Sequence, residues 1–201
     1  MALLSLFESN YEKTLMWVLI GVFLDSFDGL VARSFRATTE IGKQLDSLCD
    51  VISFGVVPGY FMYKYLSDFL SYELVPLSLS AFVVTLASIF RLARFNITPS
   101  SQLDFQGLPT PAFALFVIGI PFIPYEINPI IITVIVALLT VLMVSKIMLP
   151  SQKFVNGKPS NFFWIFAVIF IPLLLIFRSQ ALSLTVLTYA FFGMLYMRLR
   201  A

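Results

Sequence analysis

The segment FLDSFDGLVARSFRATTEIGKQLDSLCDV, residues 23–51, sets four aspartates into otherwise apolar sequence of helical length. Asp25 and Asp28 are three residues apart, and Asp46 and Asp50 are four apart. On a helix either spacing puts both side chains on one face, so each half of the segment offers two carboxylates in a single direction. Two such faces turned toward each other make a pocket of four carboxylates. A charge at the centre of a membrane helix costs roughly 2.5–3.5 kcal/mol, so four unpaired aspartates would cost on the order of 10 kcal/mol. Something cationic must share the site. Aspartate oxygens favour hard divalent ions, and two magnesium or manganese ions would offset the four negative charges.

Around this segment the 201-residue chain is 59% hydrophobic and only 12% charged, with a mean hydropathy of +0.93, values that soluble domains do not reach. Apolar runs of about 20 residues, separated by short polar or proline-containing breaks, predict helices rather than barrel strands across the bilayer. The expected fold is all-α: a polytopic transmembrane bundle forming a single integral membrane domain over residues 1–201. About seven complete spans are expected, at 14–33, 41–65, 74–95, 109–124, 128–149, 161–177 and 181–197. Met1–Phe7 is too short to cross and reads as the remnant of a helix that begins further upstream, which would bring the spans to eight with both termini cytoplasmic. The chain has no histidine and one cysteine, Cys49. That removes histidine-based catalysis, the usual zinc sites and an intramolecular disulfide, leaving chemistry to carboxylates and metal ions. Beside carboxylates in an apolar setting, Cys49 reads as a small packing residue rather than a nucleophile.

The loops carry basic residues unevenly. One side collects Arg33, Arg36, Lys43, Arg91, Arg94, Lys146, Lys153, Lys158, Arg198 and Arg200, and the other holds only Lys13, Lys64 and Arg178. The basic side is expected to face the cytoplasm, which makes this a cytoplasmic-membrane protein with its acidic pocket open to the cytoplasm. The spans bearing the two aspartate pairs are antiparallel. From Arg33 back to Asp25, and from Gly42 forward to Asp50, the chain covers eight residues, about 12 Å of helix. Asp28 and Asp46 therefore lie at middle depth, with Asp25 and Asp50 deepest. Gly29, Ala32 and Gly42 are small and let a helix or a flat ligand approach closely. A basic rim above a dimetal carboxylate floor suits a nucleotide diphosphate whose phosphates bridge the metals.

The spacing Asp25-x2-Asp28-Gly29-x2-Ala32-Arg33-x8-Gly42-x3-Asp46-x3-Asp50 resembles the signature of the CDP-alcohol phosphotransferases, with no position missing. The segments Arg91-Leu-Ala-Arg94-Phe-Asn96, Gly107-Leu-Pro-Thr-Pro111 and Leu142-Met-Val-Ser145 are similar to those of the serine-accepting branch of that family. The resemblance implies a metal-dependent transferase of phospholipid biosynthesis that moves a phosphatidyl group from CDP-diacylglycerol to an alcohol and releases CMP. It implies that Asp25, Asp28 and Asp46 hold two divalent cations, magnesium or manganese. Asp50 touches the second cation and accepts the proton of the attacking hydroxyl. Gly29, Ala32 and Gly42 leave space for the cytidine end beside Asp28 and Asp46, and Arg33 faces the phosphates or braces an aspartate. L-serine is the expected acceptor, with Arg91, Arg94, Asn96 and Thr110 as candidate contacts to its carboxylate or to phosphate. Members of the family are commonly homodimers embedded in membrane lipid, and no nucleic-acid partner is expected.

Other readings stay open at this point. Another acceptor, such as glycerol 3-phosphate or an inositol phosphate, or an ether-linked archaeal CDP-lipid donor, would leave the same signature. Intramembrane carboxylates also serve ion-coupled transporters, although a transporter gives no reason for the Gly/Ala positions or for Arg33. Arg91 and Arg94 could be snorkelling anchors at a helix end, and Gly107–Pro111 could be only a loop that starts a helix.

Overall fold

The computed structural model describes residues 1–34, 39–70, 78–97, 105–125, 127–150, 154–155, 158–159 and 181–200, and of residues 26–34, 105, 154–155, 158–159 and 200 the backbone only. The elements run α1 (Ala2–Phe7), α2 (Tyr11–Ser34), α3 (Glu40–Asp50), a π-helical turn (Val51–Val56), α4 (Val57–Phe69), α5 (Val83–Ile97), β1 (Phe105–Gln106), α6 (Thr110–Gly119), α7 (Pro129–Val144), β2 (Met148–Leu149), β3 (Phe154–Val155), β4 (Lys158–Pro159) and α8 (Ala181–Arg200). Short 3-10 turns precede α5 and follow α6.

Among the described residues, three helices have the length and apolar composition to cross a membrane: Glu40–Phe69, Ser78–Ile97 and Ala181–Leu199. Together with the apolar composition they make this an integral membrane protein. The fourth and fifth expected spans are shorter as helices, Thr110–Phe122 and Pro129–Val144. The fifth stops early because Ser145 turns out of the helix, its hydroxyl donating back to the Leu142 carbonyl at 2.8 Å. The span expected at 161–177 lies outside the described residues.

Local chemistry explains where the helices begin and bend. Asn10 starts α2, its side-chain oxygen accepting from the Lys13 N–H at 3.0 Å after Ser9 reverses the chain at φ 57°. The preceding α1 folds back beside α2 and onto α4. Its terminal Leu6 carbonyl accepts from Lys64 at 3.3 Å, Ser9 accepts from the same ammonium, and the Phe7 and Tyr60 rings meet at 4.7 Å. Thr39 caps α3 by accepting from Gly42 N–H at 3.0 Å, with Glu40 in the first turn. The run Glu40–Phe69 continues through a widened π turn just ahead of Pro58. Proline offers no N–H, and its ring crowds the carbonyl four residues earlier, so opening the preceding turn is the relief that keeps the helix continuous.

The widened turn lies against α5. Thr85 donates to the Gly55 carbonyl at 3.0 Å, and a Cβ added at Gly59 would land on the Thr85 hydroxyl. Glycines four apart let the two backbones approach in the way small residues do in membrane interfaces. At the centre stands α6, with Phe113, Ala114, Phe116, Val117 and Ile118 all buried and α2, α4, α7 and α8 around it. A helix apolar on every side belongs inside a bundle. Ser183 on α8 donates to the Phe116 carbonyl at 2.8 Å, which ties these two helices. Outward, Ile130, Ile131, Val134, Leu138 and Val141 of α7 are exposed, as lipid-facing residues should be.

Two small ribbons complete the described chain: β1 pairs antiparallel with β2 and β3 with β4. Gly107, at φ +69°, lets the loop before α6 pass under the end of α7, where a Cβ would strike the Leu142 and Met143 carbonyls. Its N–H donates to the Ile147 carbonyl at 2.9 Å. That tuck fixes the start of α6 and with it Thr110.

Candidate metal and acceptor site

The carboxylates of Asp25, Asp46 and Asp50 converge, with one oxygen from each lying within 4.8 Å of the others. Asp25 comes from α2; Asp46 and Asp50 come from α3, four residues and about one turn apart. Asp25 and Asp50 are half-buried and Asp46 is exposed. Asp28, Gly29, Ala32 and Arg33 lie on the last turns of α2, and their side chains fall outside the described residues. Gly42 is exposed in the first turn of α3, where its N–H meets the Thr39 cap.

This donor set fits a divalent cation. Three carboxylates so close together repel one another strongly as anions, while all-oxygen coordination by aspartate is what magnesium, manganese or calcium requires. The cluster is sufficient for one ion.

A second group of residues lies beside it. Arg91 is buried on α5, only 9% exposed, and donates through Nη1 to Thr110 Oγ1 at 2.9 Å. Its Nε–H has no hydrogen-bond partner among the described residues. Asp50 and Tyr189 are within its electrostatic reach. A buried guanidinium bonded to a threonine is not a snorkelling anchor, because that role would carry the charge out to the lipid headgroups. Arg94 and Asn96 take different directions. Arg94 donates to the Val144 carbonyl at the end of α7 at 2.7 Å and lies 4.8 Å from the centre of the Phe90 ring. The Asn96 amide donates to Ser47 at 2.9 Å and to Gln44 at 3.4 Å, both on α3. Thus Arg91 and Thr110 come together, whereas Arg94 and Asn96 reach separate helices.

The sequence reading missed Ser47 and Lys43. Both stand on α3 between the signature positions, four residues apart, and the same helical spacing that picked out the aspartates would have put them on one neighbouring face.

A polytopic membrane bundle with a carboxylate cluster on two of its helices defines a class of intramembrane, metal-binding proteins. The profile of the CDP-alcohol phosphatidyltransferase family matches residues 1–144, and the chain belongs to that family. The CDP-diacylglycerol–serine O-phosphatidyltransferase of Bacillus subtilis is 33% identical over 153 residues, covering 76% of this chain and 83% of that protein. The protein of that name from Helicobacter pylori is 34% identical over 200 residues, covering 94% and 82%. Its counterpart in Methanocaldococcus jannaschii is 36% identical over 180 residues, covering 89% and 81%.

Proposed function

We propose that this protein transfers the phosphatidyl group of CDP-diacylglycerol to L-serine, forming phosphatidylserine and releasing CMP. The observation that carries the reading is the convergence of Asp25, Asp46 and Asp50 inside a chain of this family; the names of the similar proteins favour serine. Residues 1–201 form a single integral membrane catalytic domain with about seven complete spans plus the N-terminal remnant, acting as a homodimer in the cytoplasmic membrane with its pocket toward the cytoplasm. The excess of lysine and arginine on that side supports the orientation.

Asp25, Asp28, Asp46 and Asp50 would hold two divalent cations, magnesium or manganese. Bound there, the cations supply charge neutralisation for the diphosphate and for the departing CMP oxygen. The protein's own residues do the rest. Gly29, Ala32 and Gly42 leave room for the cytidine end, and Arg33 faces the phosphates. Arg91, with its Nε–H unbonded among the described residues and Thr110 alongside, receives the serine carboxylate; a guanidinium fork matches a carboxylate in two bonds. Clasped there, serine presents its hydroxyl toward Asp50. The hydroxyl oxygen bonds to the phosphatidyl phosphorus, the phosphorus–oxygen bond to CMP breaks, and the hydroxyl proton passes to the Asp50 carboxylate.

Membranes containing the protein, incubated with CDP-diacylglycerol and labelled serine with and without manganese, test this. CMP release that needs both serine and the metal is expected. Release with glycerol 3-phosphate or an inositol phosphate but not with serine would reassign the acceptor, and no release with any acceptor would reject the transferase.

A further inference from the structure

Helix α3 carries two of the three clustered acids yet buries none of its residues. No buried side chain of its own therefore sets its rotation, which is left to its continuity with the packed π turn and to polar contacts. Outside its continuation into the π turn, it is held against the last turn of α5. There one residue makes several polar connections at once. Asn96 donates from its amide to Ser47 Oγ at 2.9 Å and to Gln44 at 3.4 Å, its Oδ1 lies 3.2 Å from the Ser47 hydroxyl, and its main-chain carbonyl accepts from the Lys43 ammonium at 2.8 Å. Ser47 also reaches the Lys43 carbonyl at 3.2 Å. Lys43 and Ser47 are successive residues of one α3 face, and the next residue back from Ser47 is Asp46. A face fixed at 43 and 47 fixes the direction of 46, since adjacent helical residues differ by a set angle of about 100°.

We propose that Asn96 is a positioning residue for the metal site, acting through Ser47 and Lys43 to aim Asp46 at Asp25 and Asp50, rather than a contact to the acceptor alcohol. The opposite flank of the same turn is also anchored: Arg94 bonds to the Val144 carbonyl of α7. The end of α5 thus carries the position of α7 across to α3. Outer partners of metal ligands act in this way, by orienting the ligand and not by touching the ion.

The inference rests on the metal-site reading, and the test separates the two. Manganese is titrated into the purified full-length protein in detergent and followed by electron paramagnetic resonance, for wild type, Asn96→Ala, Ser47→Ala and the double variant. Serine KM is measured on the same samples at saturating manganese. Each single variant is expected to bind manganese about tenfold more weakly, the double variant no more weakly than either single, and the serine KM to stay at the wild-type value. Where Asn96→Ala does not accumulate, Ser47→Ala carries the test alone. Unchanged manganese affinity with a raised serine KM would overturn the positioning role and return Asn96 to the acceptor. Wild-type protein that binds no manganese would overturn the metal site and the clamp with it.

Discussion

Helix α3 buries none of its eleven residues, whereas α6 buries seven of its ten, from Thr110 to Gly119. The first carries Asp46 and Asp50; the second carries Phe113, Ala114, Val117 and Ile118 at the middle of the bundle. Packing holds α6, so its position is over-determined by many contacts with four helices. A few hydrogen bonds and the π turn hold α3, so its position depends on single residues. The comparison separates stability from chemistry. Damage to α6 should cost folding first, and damage to α3 should cost activity while the protein stays folded.

The sharpest break between the two regions is expected from the acids. Asp50→Asn removes the proposed proton acceptor and should lower turnover about a thousandfold while leaving detergent-phase thermal unfolding and CDP-lipid binding close to wild type. Asp46→Asn should instead weaken manganese binding itself; equal, wild-type-like rates for both variants would contradict the separate roles. In the other region, Phe113→Ala empties a fully buried position and should cost about 3–5 kcal/mol of stability, read as a lowered unfolding midpoint, with turnover of the surviving folded fraction retained at low temperature. Loss of turnover without loss of stability would erase the distinction.

An intermediate case lies between them. Gly59→Ala pushes a methyl against Thr85 at the contact between α4 and α5 and should cost about 1–3 kcal/mol, with a smaller loss of activity because α5 carries Arg91. Smallest of all, Cys49→Ser alters an exposed side chain of α3 and should change stability by less than about 0.5 kcal/mol, with serine-dependent CMP release unchanged. A large activity loss there would mean that the thiol takes part in the reaction.

The aspartate positions were legible in the sequence because helical spacing and the cost of intramembrane charge are local arguments. Asp25, Asp46 and Asp50 could be picked out without knowing what surrounds them. The start of α3 at Thr39 followed from the same kind of local chemistry, although the sequence reading did not use it. What escaped depends on distant partners. The π turn at Val51–Val56 arises where Pro58 meets a helix that is packed closely against Thr85. Arg91 and Thr110 both read in the sequence as candidate acceptor contacts, with a snorkelling anchor as the other reading of Arg91, but their hydrogen bond across nineteen residues of sequence depends on the tuck at Gly107. Asn96 looked like part of an acceptor site beside Arg94, yet its partners stand forty-nine and fifty-two residues away on α3. The side-by-side sequence of Arg91, Arg94 and Asn96 suggested one site; on a helix those three residues point around more than half a turn and serve different neighbours.

An ion held between α2 and α3 is central to the proposed chemistry. Anomalous X-ray scattering from crystals grown with manganese tests this directly. It predicts a peak bounded by the carboxylates of Asp25, Asp46 and Asp50 in wild type, absent in the Asp46→Asn variant. Manganese bound elsewhere in the chain, or no peak among these three side chains, would contradict it.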